Sequence, residues 1–216
     1  MTSVKDVYNS ISDSFSRTRV NVWPCVAEFL DSVSGKGLEI GCGNGKNMIY
    51  RPDLEVLGLD ICPNFVKLCQ TKGLGVIEGN MTKLPYSSYS FDFVYCIAAL
   101  HHLETRELRS KAIQEMIRVC KPGGSIFILV WAFEQEADSK RKFETQDVMV
   151  PWKDNNKPDA VAHRFYHVYK EDELVEEVKQ SFILNMNIDL KPLRGYVPFV
   201  YSSFYEKGNW GIVFNI

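Results

Sequence analysis

The sequence is poor in everything that would mark it for a special environment. Nowhere in its 216 residues is there a run approaching the roughly 20 apolar residues that a bilayer span needs, which argues against a membrane helix. Met1 to Ser16 mixes charged and polar side chains and lacks the apolar core of a secretory signal. Neither sign of charge prevails. Lys and Arg number 25 against 27 Asp and Glu, a formal charge of −2, so nucleic-acid binding could rest only on a local patch. The six cysteines, Cys25, Cys42, Cys62, Cys69, Cys96 and Cys120, include no C-x-x-C pair. A structural zinc site needs paired spacing, so no metal is expected. Buried, reduced thiols fit a cytoplasmic protein, or one also present in the nucleus. Internal repeats and low-complexity tracts are missing as well.

The remainder is ordinary globular composition, 45% hydrophobic and 24% charged, enough for a real core in a single domain over 1–216. Val4, Val7, Tyr8, Ile11 and Phe15 recur at helical spacing, and Trp23, Val26, Phe29, Leu30 and Val33 repeat the pattern with Pro24 in the first turn. These N-terminal helices occupy 1–35. From 36 to 131 short apolar runs alternate with helical periods. The runs are Leu38–Gly41, Val56–Asp60, Leu74–Ile77, Phe91–Ala98 and Ser125–Trp131; the helices are Pro63–Lys72 and Thr105–Cys120. Apolar runs without alternation read as parallel strands covered on both faces. Residues 134–163 are charged and aperiodic, with Pro151 and Pro158, and read as a long loop excursion. Over 164–216 a helix is expected at Glu171–Ser181. Tyr196–Tyr205 and Trp210–Ile216 flank a Gly-Asn turn as an antiparallel hairpin.

One motif carries chemistry. Glu39-Ile-Gly-Cys-Gly-Asn-Gly45 ends the first strand. Gly41, Gly43 and Gly45 allow a sharp turn and close approach of a ligand to the backbone. A dinucleotide fingerprint would place its third glycine where Lys46 stands, and a P-loop would end in Gly-Lys-Ser/Thr. The acidic opening residue suits a cation better than a pyrophosphate. Asp60, ending the second strand, has the chemistry to accept both ribose hydroxyls. A ribose with positive charge near the glycines, and no phosphates, describes S-adenosyl-L-methionine.

At these residues the chain resembles the class I S-adenosylmethionine-dependent methyltransferases over about 36–131. The resemblance implies a Rossmann-like α/β fold: a seven-stranded, mostly parallel sheet with a C-terminal antiparallel hairpin and helices on both faces. It implies cofactor binding by the Gly loop, Glu39, Asp60 with Ile61, Asn80-Met81 at the adenine, and Ile97 after the fourth strand. Relatives commonly carry Asp at the places of Glu39 and Asn80; Asn80 could still accept from the adenine amine through its carbonyl oxygen. A narrower resemblance, to the eukaryotic tRNA wobble-uridine carboxymethyl methyltransferases, spans nearly the whole chain. It rests on Tyr8…Phe15-Ser-Arg-Thr-Arg19…Trp23-Pro24, Ile97-Ala-Ala-Leu-His-His102, Val130-Trp-Ala-Phe-Glu-Gln135, Gln146-Asp-Val-Met-Val-Pro-Trp152, Arg164-Phe-Tyr-His-Val-Tyr169 and the terminal Gly-Asn-Trp210. The stretch 182–197 does not align.

That family esterifies the carboxylate of 5-carboxymethyluridine in the anticodon, and the resemblance implies the same acceptor here. A carboxylate is already anionic and needs no general base. Ile97-Ala-Ala-Leu-His-His102 replaces the Asp/Asn-Pro-Pro-Tyr/Phe of amino-methylating relatives, which also favours an oxygen acceptor. Arg19 and Arg164 are the candidate carboxylate clamps, with surface charge as the alternative. His101 is either a substrate donor or a core histidine, and His102 reads as packing. Tyr166 and His167 are candidates for the substrate mouth. Trp131 either stacks on the base or fills the core. Over 140–170 seven basic residues face four acidic ones among Trp152, Phe165 and Tyr166, a pattern that suits the tRNA anticodon loop rather than DNA. The third strand, Leu74–Gly79, would lie unprotected at a sheet edge. The resemblance implies a small zinc-binding activator protein there, as a heterodimer. A small-molecule O-methyltransferase and a non-catalytic cofactor-binding subunit are the alternatives.

Overall fold

The computed structural model describes residues 3–154, 157–189 and 201–216. The N-terminal segment forms α1 (Val4–Thr18) and α2 (Pro24–Ser32). Ser3 caps α1 by accepting the Asp6 N–H, and Pro24 begins α2, where its missing N–H costs nothing. Then β1 (Lys36–Ile40), α3 (Lys46–Tyr50), β2 (Glu55–Asp60), α4 (Pro63–Thr71), β3 (Val76–Glu78) and β4 (Phe91–Ile97) follow. A 3-10 turn, Leu100–His102, leads to α5 (Arg106–Val119) and β5 (Cys120–Trp131). Thr105 caps α5 through the Leu108 N–H. The chain ends with β6 (Asp147–Asp154), β7 (Lys157–His167), α6 (Glu173–Asp189), β8 (Tyr201–Tyr205) and β9 (Asn209–Asn215).

Seven strands form one sheet in the order β3-β2-β1-β4-β5-β9-β8. β1 to β5 pair in parallel, while β9 runs antiparallel to β5 and β8 to β9. Successive strand residues face opposite sides, and both sides are buried. Phe93, Tyr95, Ile97, Phe127 and Leu129 pack on Val26, Phe29 and Leu30 of α2. Val94, Cys96, Ile126, Ile128 and Val130 face α5 and α6. That double coverage explains why these strands read as unbroken apolar runs. The six cysteines are free thiols. No helix among the described residues is long and apolar enough to cross a membrane.

Four expectations need correction. Residues 134–163 are not one loop: β6 and β7 pair as an antiparallel hairpin forming a second sheet. The alternation was obscured because an inward position of β7 holds Arg164, beside Tyr166, so the buried face does not read as apolar. The α6 helix runs well past Ser181; after the half-buried Phe182, the adjacent Ile183 and Leu184 are both exposed, which breaks the periodicity. The fifth strand begins at Cys120, not at Ser125, with Pro122-Gly-Gly inside it beside a register shift in its pairing with β4. In the terminal hairpin Lys207 and Gly208 make the turn, both at positive φ (47° and 75°), as a two-residue hairpin turn demands. Residues 196–200 and most of the unaligned stretch 182–197 lie outside the described residues.

Candidate active site

A cavity of about 800 Å³ opens at the C-terminal ends of β1, β2 and β4. The strand order reverses between β1 and β4, and open parallel sheets bind ligands at such a switch point. The N-terminal helix closes one side. Asn9 Oδ1 accepts the Asn64 N–H at 3.2 Å, and Asn44 Nδ2 donates to the carbonyls of Ser16 and Arg19 at 3.4 and 2.9 Å. These bonds hold α1 against the Gly loop and bring Tyr8, Phe15 and Arg19 to the cavity wall.

One half of the cavity has the features of a nucleoside site. Gly41 and Gly43 line it. Gly43 (φ 54°) has only the Phe15 ring edge at 4.0 Å from where a Cβ would stand, so the backbone faces open space. Gly45 does a different job. It caps α3 in the left-handed region (φ 74°), and a Cβ there would stand 2.5 Å from Leu74; it is a packing glycine off the cavity wall. Asp60 accepts the Gly43 and Cys62 N–H groups, each at 2.8 Å. Burial nevertheless pushes its carboxyl pKa upward. Ile61 and Met81 supply apolar wall, and Ile97, at the end of β4, lines the cavity as well. Ala98 follows at φ 54°, a strained conformation for a residue with a Cβ, held by its N–H to Leu129 at 2.8 Å.

Asn80 lines the cavity, but its oxygen is committed. Oδ1 accepts both the Thr82 N–H and the Thr82 hydroxyl, each at 2.9 Å. A backbone N–H can donate only to the amide oxygen, which fixes the orientation. The expected acceptance of an adenine amine is therefore corrected: Asn80 presents its NH₂, a donor for a ring nitrogen. Glu39, 1% exposed, accepts Asn47 Nδ2 at 2.7 Å and the Tyr95 hydroxyl at 3.4 Å. Burial pushes its carboxyl up to about 8.

The other half is built of guanidinium groups and aromatic rings. Arg164, 4% exposed, lies 5.1 Å from the Trp152 ring, 5.3 Å from Tyr166 and 5.8 Å from Tyr8. Among the described side chains it has no ion pair, and its Nε has no hydrogen-bond partner. Arg19 stacks between Phe15 and Trp152 at 5.3 and 5.5 Å. Arg141 sits 4.1 Å from the Trp131 ring centroid. Burial, reinforced by repulsion from Arg19 and Arg164, lowers the Arg141 pKa. Trp131 also stacks on Tyr166 at 4.2 Å, so a base could stack on it only if Arg141 left.

His101 is fully buried on the same wall. Its Nδ1 accepts the Trp131 N–H at 3.0 Å, which puts the ring proton on Nε2. Burial, with repulsion from His102 and Arg164, keeps the ring neutral far below the usual imidazole range. That Nε2–H has no partner among the described residues. His102 is pinned: Nδ1 donates to the Phe165 carbonyl at 2.7 Å, and Nε2 accepts the Tyr8 hydroxyl at 2.7 Å. Tyr166 lies 3.3 Å from the Tyr8 oxygen, and burial holds His102 down at about 4.

His167 is the expected mouth residue that the structure takes elsewhere. It is off the cavity wall, clasped by Asp147 at 2.6 Å and Glu173 at 2.8 Å, and it ties the hairpin to α6. Burial opposes its charge, but the two carboxylates outweigh that and raise its pKa. Sequence reasoning counted Arg141 only among the basic residues of 140–170, gave Trp152 as the end of a family-like segment without a role, and passed over Asn47 altogether. Four buried side-chain polar atoms among the described residues lack a hydrogen-bond partner, and three of them, Asn47 Oδ1, His101 Nε2 and Arg164 Nε, belong to this cavity's wall. Buried polar groups are otherwise nearly always paired; clustered exceptions mark a place that a ligand completes.

The comparisons with known proteins agree with this geometry. A methyltransferase domain model matches residues 38–128. A tRNA (carboxymethyluridine(34)-5-O)-methyltransferase of Schizosaccharomyces pombe is 36% identical over 200 residues, covering 82% of this chain and 87% of that protein. A protein of the same name from Arabidopsis thaliana is 44% identical over 138 residues, covering 63% of this chain and 34% of its own length. This chain spans 33 to 40% of the length of three longer curated relatives that it matches. Among solved structures, a Haloferax volcanii putative methyltransferase in complex with the Trm112 methyltransferase activator has a TM-score of 0.62 at 17% identity, covering 100% and 98% of the two chains; at that identity the likeness concerns the fold. With its sheet order, its Gly loop and a relative matched over most of both lengths, the chain belongs to the tRNA (carboxymethyluridine(34)-5-O)-methyltransferase family of class I S-adenosylmethionine-dependent methyltransferases.

Proposed function

We propose that this chain methylates the carboxylate of 5-carboxymethyluridine at the tRNA wobble position, using S-adenosylmethionine. The observation that carries the reading is the acceptor half of the cavity. Arg164 and the neutral His101 bring buried, unpartnered N–H donors to a wall that Arg19 and Arg141 also line. Such donors suit an anionic oxygen acceptor. A cationic acceptor would meet the like charge of Arg164, Arg19 and Arg141.

The cofactor half fits its proposed occupant. Asp60 keeps lone pairs for a ribose diol beyond the two backbone N–H groups it accepts. Ile61 and Met81 flank a flat ring, and Glu39 with Asn47 offers oxygens to a cation. When bound, the cofactor supplies a methyl group on a sulfonium sulfur. The protein's own task is orientation, which is worth most in an in-line displacement. Arg164 and Arg19 hold the carboxylate. His101 Nε2–H steadies one oxygen without taking a proton, and Trp152 and Tyr166 keep the guanidinium planes in place. No proton need be removed, because the nucleophile enters as an anion.

RNA and partner complete the proposal. The acceptor's loop would approach past the β6–β7 hairpin and Arg141. A small zinc-binding activator would add to the open edge at β3, where Ile77 is 41% exposed at the end of the sheet order; an unprotected edge invites strand addition. The solved complex of a similarly folded methyltransferase with its activator supports a heterodimer. A cytoplasmic location belongs to the same proposal. The test is methyl transfer from labelled cofactor, with the activator present, to bulk tRNA and in parallel to a metabolite extract. Label in RNA alone is expected. Label in metabolites alone would establish the small-molecule alternative instead.

A further inference from the structure

Trp131 ends β5 on the cavity wall, with the His101 ring centroid 5.8 Å from its own. Tyr166 stacks on it at 4.2 Å, the two planes 24° apart. The Arg141 guanidinium lies 4.1 Å from the same indole centroid. Two groups stacked that closely on one ring stand on opposite faces. Buried Tyr166, itself 4.7 Å from His101, therefore backs Trp131 from inside, and exposed Arg141 covers the outer face. Arg141 is lightly held there. No ion pair among the described residues includes it, and the one hydrogen bond given for it is from its backbone N–H to Ser139 Oγ at 3.2 Å. Arg19 and Arg164 repel it, while Glu136 of its own segment attracts it. That segment is anchored at its ends: the Phe133 N–H donates to the Tyr169 carbonyl, and the Gln146 carbonyl accepts the Val168 N–H, each at 2.7 Å. In between, the hydrogen bonds of Ser139, Arg141 and Lys142 among the described residues run to residues 135–139 of the same segment. The ring contacts that tie this middle part to the body are those of Arg141 and Phe143 with Trp131.

We propose that the outer face of Trp131 is the seat of the target uracil ring, that Arg141 holds the place in the free protein, and that the arriving base displaces the guanidinium toward the RNA backbone. The inference rests on the reading of the acceptor as a wobble uridine and deepens it. In that nucleotide one methylene separates ring from carboxylate. A carboxylate held by Arg164 and His101 therefore needs a flat surface for its base directly beside them, and Trp131 offers it. Loop bases read by proteins are splayed out and stacked on aromatic side chains in this way. The exchange is favourable in balance. Stacking of a base on an aromatic ring is worth about 5- to 150-fold in affinity, against about two- to fivefold for an exposed cation–π contact. The displaced guanidinium also leaves two like charges and gains a phosphate. Arg141 is thus a specificity residue: a nucleoside without phosphates must displace it and offers it no phosphate to bind.

Initial rates at saturating cofactor, with the activator present, test the proposal on an anticodon stem-loop carrying 5-carboxymethyluridine. The free nucleoside of the methyl ester serves as competing inhibitor; it is neutral and lacks phosphates, so it reports the base seat alone. Arg141→Ala should tighten the nucleoside about two- to fivefold. The same variant should weaken the stem-loop, in KM rather than in kcat, and flatten the slope of log KM against log salt by about 0.7, the value of one single-strand phosphate contact. Trp131→Leu should weaken both ligands by about 5- to 150-fold, and Trp131→Phe should restore most of that loss. Weaker nucleoside binding by Arg141→Ala, or a kcat lowered about tenfold or more, would overturn the place-holder and make Arg141 a direct clamp on the substrate. An unchanged salt slope would overturn its transfer to the backbone. Failure of the nucleoside to compete, or equal affinities in Trp131→Leu and the unmodified protein, would overturn the seat while leaving RNA methylation intact. No methylation of the stem-loop by the unmodified protein would overturn the functional reading and this inference with it.

Discussion

Arg164→Met separates a functional arginine from a structural one. In the free protein the guanidinium is 4% exposed and held by three rings at 5.1 to 5.8 Å. Each cation–π contact contributes about 0.5–2 kcal/mol. Against that sum stands the cost of burying an unpaired charge, several kcal/mol per ion. The two are of similar size, so replacement by an uncharged chain of similar length should change folding stability by about 1 kcal/mol or less in either direction. For a chain of this size that is about 2–4 °C in Tm. Catalysis should respond differently. A charge-assisted hydrogen bond to a carboxylate is worth about 1.5–3 kcal/mol, or about 10- to 150-fold in kcat/KM toward the RNA acceptor. Affinity for S-adenosylhomocysteine should not move. The assay pairs thermal melting with initial rates at saturating cofactor. A Tm drop of about 10 °C or more, with activity following only the folded fraction, would refute the reasoning and return Arg164 to a structural role.

Three further predictions follow from the same geometry. His101 is already neutral and the acceptor already anionic, so kcat at saturating cofactor should be flat from about pH 6 to pH 8; a rise with an apparent pKa near that of an ordinary histidine would show that His101 acts as a base. Tyr8→Phe removes the donor to His102 Nε2 and leaves a buried acceptor unpaired, which should cost about 1–3 kcal/mol in urea unfolding; an unchanged midpoint would mean that the Tyr8–His102 contact contributes nothing. The clasp of His167 by Asp147 and Glu173 raises the folded-state pKa. Its contribution is therefore fully present below the unfolded-state value near 6.5 and lost as pH rises through the higher folded value. His167→Gln should accordingly cost more stability at pH 6 than at pH 9, and an equal cost at both would deny the charged clasp.

Much of the scaffold was legible because its signals are local. Alternating short apolar runs and helices gave β1 to β5, since strands covered on both faces must be apolar on both. Three glycines after β1 and an acid after β2 marked the cofactor half, because the chemistry is confined to strand ends. The acceptor half was legible only in part. Arg19, Arg164, His101 and Tyr166 were picked out through family-like segments, and they do share the cavity wall. What brings them together, however, is a hairpin whose inward face includes an arginine, and no apolar pattern announces that. Asn47 was invisible for a related reason. A polar residue in a short helix reads as surface, and only packing shows it to be buried with an unpaired oxygen. His167 illustrates the converse: its neighbour Tyr166 faces the cavity, and alternation along β7 turns His167 the other way, toward Asp147 and Glu173. Asn80 shows how far sequence chemistry reaches, since its amide could donate or accept until Thr82 took the oxygen.

The central claim is an oxygen ester made on a wobble-uridine carboxylate. It is tested most directly by nucleoside mass spectrometry of tRNA carrying 5-carboxymethyluridine, after incubation with this chain, the activator and S-adenosylmethionine. The account predicts conversion of that nucleoside to its methyl ester, lost again on mild alkaline treatment, and little conversion with Arg164→Met. Unchanged 5-carboxymethyluridine, or a methyl group found on a ring nitrogen or the ribose and stable to alkali, would contradict it.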